Sequence, residues 1–471
     1  MSNKPIILWF RQDLRLSDNP ALEYAAKSLR PIIPIYILDV RANIGAASKW
    51  WLHHSLQSLA QSLNQKLNFF IGNPQEIIDK LIRENNAAEI VWNRCYEPAV
   101  IKRDKGIKEY LKNQNVQVKS FNSALLLEPQ DTLKEDNTNY KVFTAFYKKN
   151  YLQGNSKIRL PIAKPPNLNL LKIESLSLTD LSLIPKIKWY KNFEKIWQPG
   201  ENGAFIALDK FLAKGLKGYK ELRNRADLEY SSKLSPHLHF GEISPNIIWH
   251  NIRSYSQKHG YDVDAEHFLS ELVWREFSSN LLYFFPDLPQ KNLQRKFDNF
   301  PWQENNDFLI KWQKGMTGYP IVDAGMRELW QTGFMHNRVR MIVASFLVKH
   351  LMIDWRRGLE WFHDCLVDAD IANNRASWQW VAGSGADAAP YFRIFNPILQ
   401  GQKFDPEGNY TKKFVPELKQ LPIKHLFSPW LTPESILAAL NIRIGIDYPK
   451  PIVVHEKARQ KALAAYNAIS V

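Results

Sequence analysis

Along the first 130 residues, short apolar runs alternate with longer amphipathic ones. IILWF (Ile6 to Phe10), PIIPIYIL (Pro31 to Leu38), EIVWN (Glu89 to Asn93) and VQVKSF (Val116 to Phe121) have the length and β-branched content of buried strands. Between them, WWLHHSLQSLAQSLNQ and PQEIIDKLIRENN carry helical spacing. Strands alternating with helices predict an α/β domain with a doubly wound parallel sheet over residues 1–130. The first strand leads into RQDLRLSDNPAL, not G-x-G-x-x-G, so the usual dinucleotide loop is missing. Residues 131–199 lose periodicity and gather Pro161, Pro165, Pro166, Pro185 and Pro199, the texture of a connector. From 200 to 471 the spacing is helical throughout. GENGAFIALDKFLAKGL, AEHFLSELVWREFSSNLLYFF, VDAGMRELWQTGF and NRVRMIVASFLVKHLMIDW predict an all-α domain.

Composition alters this picture in two ways. The net charge of +15 favours a polyanionic partner, nucleic acid first. Cys95 and Cys365 are the only cysteines, which excludes a disulfide framework and a cysteine-rich metal site and suits a reducing cytoplasm. No metal site is expected. The apolar run near the N-terminus is too short for a signal peptide, and no stretch approaches the ~18 apolar residues of a membrane span.

The candidate chemistry lies in the helical half. DADIANNRASWQW, Asp368 to Trp380, packs acids, amides and indoles into one stretch that a core helix would not choose. In ELVWREF, Glu271, Trp274 and Arg275 share a helix face. In MHNRVRM, Asn337, Arg340 and Met341 share another, with Arg338 beside them; amides and guanidinium groups suit base edges and phosphates. Ser231, Ser232 and Ser235 precede a helix start, where hydroxyls and free N–H groups either cap the helix or hold a phosphate.

Taken in order, these stretches resemble the DNA photolyase/cryptochrome family, and within it the enzymes that split cyclobutane pyrimidine dimers. The resemblance is carried by the serine stretch, ELVWREF, GYPIVDAGMR, MHNRVRMIVASFLVKHLMIDW, DADIANNRASWQWVAGSGADAAPYFRIFNP and the opening ILWFRQDLRLSDNPAL. It implies noncovalent FAD in the helical domain. Tyr219, Ser231, Ser232, Lys233, Leu234, Ser235 and Arg275 would hold its phosphates. Phe268, Arg340, Asp368, Ala369, Asp370 and Asn374 would surround the rest, with Asp368 paired to Arg340 and Asn374 against flavin N5. Phe268 and Phe334 stand where some members have tryptophan, each keeping an aromatic wall. Trp378, Trp355 and Trp302 match a chain of indoles that reduces excited flavin. Glu271, Trp274, Asn337, Met341 and Trp380 match the pocket for a dimer flipped out of UV-damaged DNA, with Arg223 and Arg338 on backbone phosphates. The implied reaction is light-driven and redox-neutral, in a cytoplasmic monomer.

Two rival readings within the resemblance are a (6-4) photolyase and a cryptochrome receptor. Asn337 disfavours the first. The short chain after KARQKALAAYNA, together with Asn374, disfavours the second. An antenna chromophore is expected in the N-terminal domain. Ala99 and Val100 replace residues that folate-binding relatives use, so a deazaflavin near GAASKWWLHHSL is favoured over folate.

Overall fold

In the computed structural model the described residues are 4–153, 158–388 and 392–469; positions 389–391 of the long quoted motif fall outside them. The strands β1 (Ile6–Phe10), β2 (Ile32–Asp39), β3 (Asn68–Gly72), β4 (Glu89–Asn93) and β5 (Gln117–Phe121) form one parallel sheet of order β3-β2-β1-β4-β5. The hydrophobic pattern does not single out β3. It is an edge strand, NFFIG, with only Asn68 and Phe69 buried. Strand periodicity builds two cores. Ile7, Trp9, Ile35 and Trp92 pack on α3 (Pro74–Glu84) and α4 (Pro98–Asn113). Ile6, Leu8, Phe10 and Val91 pack on α1 (Pro20–Lys27) and α2 (Ala46–Ser62).

Strand order reverses between β1 and β4, where doubly wound folds commonly bind ligands. Here protein groups crowd the strand ends. Arg11 donates to Asp104 at 2.5 Å, and Asn93 donates to Asp13 and Asn19 at 2.6 and 2.7 Å.

The connector is not a free linker. Leu170 bridges Ile32 and Leu176 bridges Phe69 beside the sheet, while Phe143 and Phe146 enter the helical core. The proline-rich texture therefore marks irregular backbone that still buries side chains. The two domains are locked through α2. Trp51 lies edge-on to Trp197 at 5.3 Å, and its Nε1 donates to Glu242 at 3.0 Å; the Gly200 N–H donates to the same carboxylate at 2.7 Å.

Six helices carry the functional half and its surroundings: α5 (Asp262–Phe284), α6 (Pro320–Thr332), α7 (Asn337–Ser345), α8 (Trp355–Cys365), α9 (Ile371–Ala382) and α10 (His455–Ala468). The pattern from Asn337 to Trp355 reads as one helix, but the structure divides it. α7 passes into a π-turn at Phe346–His350, Met352 takes φ 52°, and α8 restarts under Asp354, whose side chain accepts from the Arg356 N–H. The Asp354 cap supplies the N-terminal acceptor that an uninterrupted helix would not need. Among the described residues no helix is long and apolar enough to cross a membrane.

Candidate active site

A cavity of about 680 Å³ opens in the helical half. One face of α5 supplies Phe268, Glu271, Trp274, Arg275 and Ser278, which is the helical stripe expected from ELVWREF extended by one turn. α7 supplies Asn337, Arg338, Arg340 and Met341. α9 and the loop before it supply Asp368, Ala369, Asp370, Asn374, Trp378 and Trp380; Tyr219, Arg223, Ser232, Leu234 and Ser235 complete the wall.

DADIANNRASWQW thus becomes a helix, contrary to its composition. Asp370 is its N-cap, accepting from the Asn373 N–H at 2.7 Å, and Gly383 ends it at φ 92°. Its amides are tolerated because they face a cavity rather than a packed core.

The inner end is polar and incompletely satisfied. Asp368 Oδ2 accepts from Ser235 Oγ at 2.6 Å and from Arg340 at 2.9 Å, the pairing the resemblance implies. Its other oxygen has no hydrogen-bond partner among the described residues, nor do His239 Nδ1 and Trp378 Nε1, and all three residues line this cavity. Leaving such atoms buried and unpaired costs roughly 1–3 kcal/mol each. A polar ligand with several donors and acceptors relieves that cost, so this end fits a dinucleotide cofactor such as FAD. Arg275 adds charge beside it, donating to the Ala124 carbonyl at 2.8 Å and to Glu276 at 3.2 Å.

The other flank differs. Arg223 and Glu271 form an ion pair at 2.5 Å, so Glu271 pairs with Arg223 and not with its helix neighbour Arg275. Trp274 stacks on Phe143 at 3.7 Å with planes 8° apart, so the connector sets this indole's plane. Arg338 donates to Asn224 at 2.7 Å and lies over the Phe404 ring. Trp380 Nε1 donates to the Asp387 carbonyl at 3.0 Å.

Several expected residues lie elsewhere. The side chains of Ser231 and Lys233 do not line the cavity. Lys233 sits at φ 54° and its ammonium reaches Trp197 and Phe334, at 5.6 and 5.8 Å. Phe334 is not a cavity wall either. It packs edge-on to Trp197 at 5.7 Å, in the core between the domains, after Gly333 at φ 67° turns the chain out of α6. Trp355 is fully buried in the same cluster as Trp378, its Nε1 donating to Asn292 at 3.0 Å. Trp302 is half-buried at the edge of that cluster, 4.4 Å from Phe300. The indoles of Trp50 and Trp51, in the stretch expected to hold an antenna, are buried against Phe193 and Trp197.

Ser278 and His239 are among the lining residues that the sequence does not single out. Ser278 continues the Glu271 stripe at i+7, a signal that helical spacing does carry. His239 lies 3.9 Å from Asp370, and burial pushes its imidazole pKa down. Nothing in SPHLHF separates it from His237, which turns away to Glu242 at 2.5 Å. Among the described residues, no group of three or more His, Cys, Asp or Glu is placed to hold a metal.

Comparison with known proteins agrees with this geometry. Residues 6–166 match the family model "DNA photolyase", and residues 268–468 match "FAD binding domain of DNA photolyase". The chain is 48% identical to a deoxyribodipyrimidine photo-lyase of Agrobacterium fabrum, over 100% of this chain and 99% of that one. It is 35% identical to cryptochrome-2 of Arabidopsis thaliana, over 97% of this chain and 78% of that one. The crystal structure of a bacterial class III photolyase from Agrobacterium tumefaciens superposes with a TM-score of 0.97 at 47% identity, covering 100% of this chain and 98% of that one. Full-length identity at that level, on a fold whose cavity gathers the motif residues, makes this chain a member of the DNA photolyase/cryptochrome family.

Proposed function

We propose that the protein repairs cyclobutane pyrimidine dimers in DNA under light, using FAD bound at the inner end of the 680 Å³ cavity. The observation that carries this reading is the continuity of that cavity. Its unsatisfied polar end, around Asp368, His239 and Trp378, shares one space with Glu271, Trp274, Asn337, Met341 and Trp380. Reduced FAD supplies the photoexcitable electron.

The protein's residues bind, orient and tune. Asp368, held by Ser235 and Arg340, and Asp370 accept from the cofactor's hydroxyl and N–H groups. Asn374 offers a neutral amide at the flavin, which stabilises charge without trapping a proton. Trp274 and Trp380 wall the everted bases. Glu271 meets their imide edge once Arg223 leaves it for a backbone phosphate, a contact that positions without reading sequence. Trp378 on the cavity wall, Trp355 buried in the same core cluster and Trp302 half-buried at its edge would relay an electron towards bound flavin before repair. The enzyme acts as a monomer in the cytoplasm. A second chromophore belongs to the same proposal, with deazaflavin favoured over folate, but away from the occupied faces of Trp50 and Trp51.

The test is blue-light repair of an oligonucleotide containing one cyclobutane dimer, with a (6-4) photoproduct run in parallel. Repair of the first alone is expected. Repair of the second alone reassigns the substrate. Flavin photoreduction without repair of either would make the chain a receptor.

A further inference from the structure

A second chamber, of about 190 Å³, adjoins the main cavity, and Trp380 and Val381 line both. Lys296, Lys349 and Arg393 contribute to its wall, together with Gln294 and Ser345, and no carboxylate side chain is among its described lining residues. Its volume is several times a single water's share of ~30 Å³.

Two buried groups are left short of partners there. Lys349 is only 5% exposed. Its sole hydrogen bond among the described residues goes to the Arg393 carbonyl, and its ammonium lies 4.6 Å from the Phe392 ring, which leaves two of its three N–H donors without an acceptor among the described residues. Ser345 Oγ is buried with no partner among the described residues. Lys296 rests beside Tyr466 of α10, donating to its hydroxyl at 3.2 Å. Cations and an idle hydroxyl converge where the described lining residues provide no anion.

We propose that this chamber is an anion subsite that takes a phosphate group. A phosphate oxygen satisfies the Ser345 hydroxyl and the spare Lys349 donors at once, and phosphate accepts readily from such charge-assisted partners. Burial, aided by Arg393, pushes the Lys349 ammonium pKa down to about 7; a bound anion relieves that penalty. The position also has a meaning. Because Trp380 lines both spaces, an anion held here would sit beside the bases proposed to stack on that residue, which makes a phosphodiester of their own strand one source of it. That source rests on the proposed function. Free inorganic phosphate is the other source of the same chemistry and does not rest on it.

The experiment uses the full-length, flavin-loaded protein. Inorganic phosphate is titrated at constant ionic strength against chloride, in the dark, and the thermal midpoint is followed. The wild type is expected to show a saturable rise that Lys349→Met abolishes and Ser345→Ala weakens. Duplex affinity is then measured as a function of salt. If the backbone is the occupant, Lys349→Met and Lys296→Met weaken dimer-containing and undamaged duplex alike, and the log–log salt slope falls by about 1. A saturable phosphate response with an unchanged slope identifies free phosphate as the ligand. No saturable response in the wild type, with slopes unchanged in the variants, overturns the proposal. Should Lys349→Met fail to fold, Ser345→Ala and Lys296→Met decide it. The titration needs neither light nor a lesion, so it stands or falls separately from the repair assay.

Discussion

Glu276 shows how one residue acquires an unusual property from its surroundings. It accepts from the Leu126 N–H at 2.8 Å and from Arg275 at 3.2 Å, and both contacts favour the carboxylate. Burial outweighs them and lifts its pKa to about 7. Between about pH 4.5 and 7 the unfolded chain releases this proton while the folded protein keeps it. Stability therefore falls as pH rises through that window, by on the order of 3 kcal/mol for a shift of this size. Glu276→Gln keeps an acceptor for Leu126 and removes the titration, so chemical denaturation across that window should show a flatter slope for the variant. Trp378 is the second case. Its Nε1 has no hydrogen-bond partner among the described residues, while its ring packs edge-on to Phe362 at 5.0 Å. Trp378→Phe is expected to block photoreduction of oxidised flavin, while dimer repair by chemically reduced protein survives. Parallel loss of both would show that the indole is a structural support and not an electron relay.

Among the elements, α8 and α9 depend on one glycine for their approach. A Cβ at Gly358 would stand 2.2 Å from Trp378 Cη2 and 2.6 Å from Leu347 Cδ2. No rotamer change of a small side chain clears an indole and a leucine together. Gly358→Ala should cost about 1–3 kcal/mol by overpacking, read from denaturant midpoints, and should raise the off-rate of flavin by displacing Trp378. The helix boundaries show how far the pattern reaches. The periodicity places α5 and α6 to within a few residues, because each carries a continuous apolar stripe. It runs α7 and α8 together, because Phe346–His350 keeps apolar spacing through a π-turn whose hydrogen bonds leave no mark on hydrophobic order. β3 goes unread because NFFIG has a single β-branched residue and ends in glycine. Burial is not the reason, since β5, the other edge strand, is read although none of its residues is buried, contrary to the expectation for VQVKSF.

Across the assembled chain, the connector and α2 hold the sheet domain against the helical one, so residues outside the helical half brace side chains that line the cavity. Phe143 of the connector stacks on Trp274, and Ala124 accepts from Arg275. The net charge of +15 acts at this level too, with Arg223 and Arg338 on the main cavity and three cations on the adjoining chamber. Affinity for dimer-containing duplex should fall by more than about tenfold between ~50 and ~200 mM salt, by counterion release. A flat dependence, measured by fluorescence anisotropy, would mean that the charge serves no backbone contact.

The order of residues along the chain was enough to tell which helix faces line the cavity at two places, Glu271 with Trp274 and Asn337 with Arg340 and Met341, while Asp368, Asp370 and Asn374 were reached through the family resemblance alone. Helical spacing dictates which side chains share a face, whatever the partner. The parallel sheet was legible too, since alternating buried strands and amphipathic helices admit few other arrangements. Packing of the whole chain was needed to turn Lys233 and Phe334 away, to pair Glu271 with Arg223, and to leave His239 Nδ1 and Ser345 Oγ buried without hydrogen-bond partners among the described residues. Those outcomes depend on which surfaces meet across long loops, and side-chain satisfaction is a property of that meeting, carried by no local pattern.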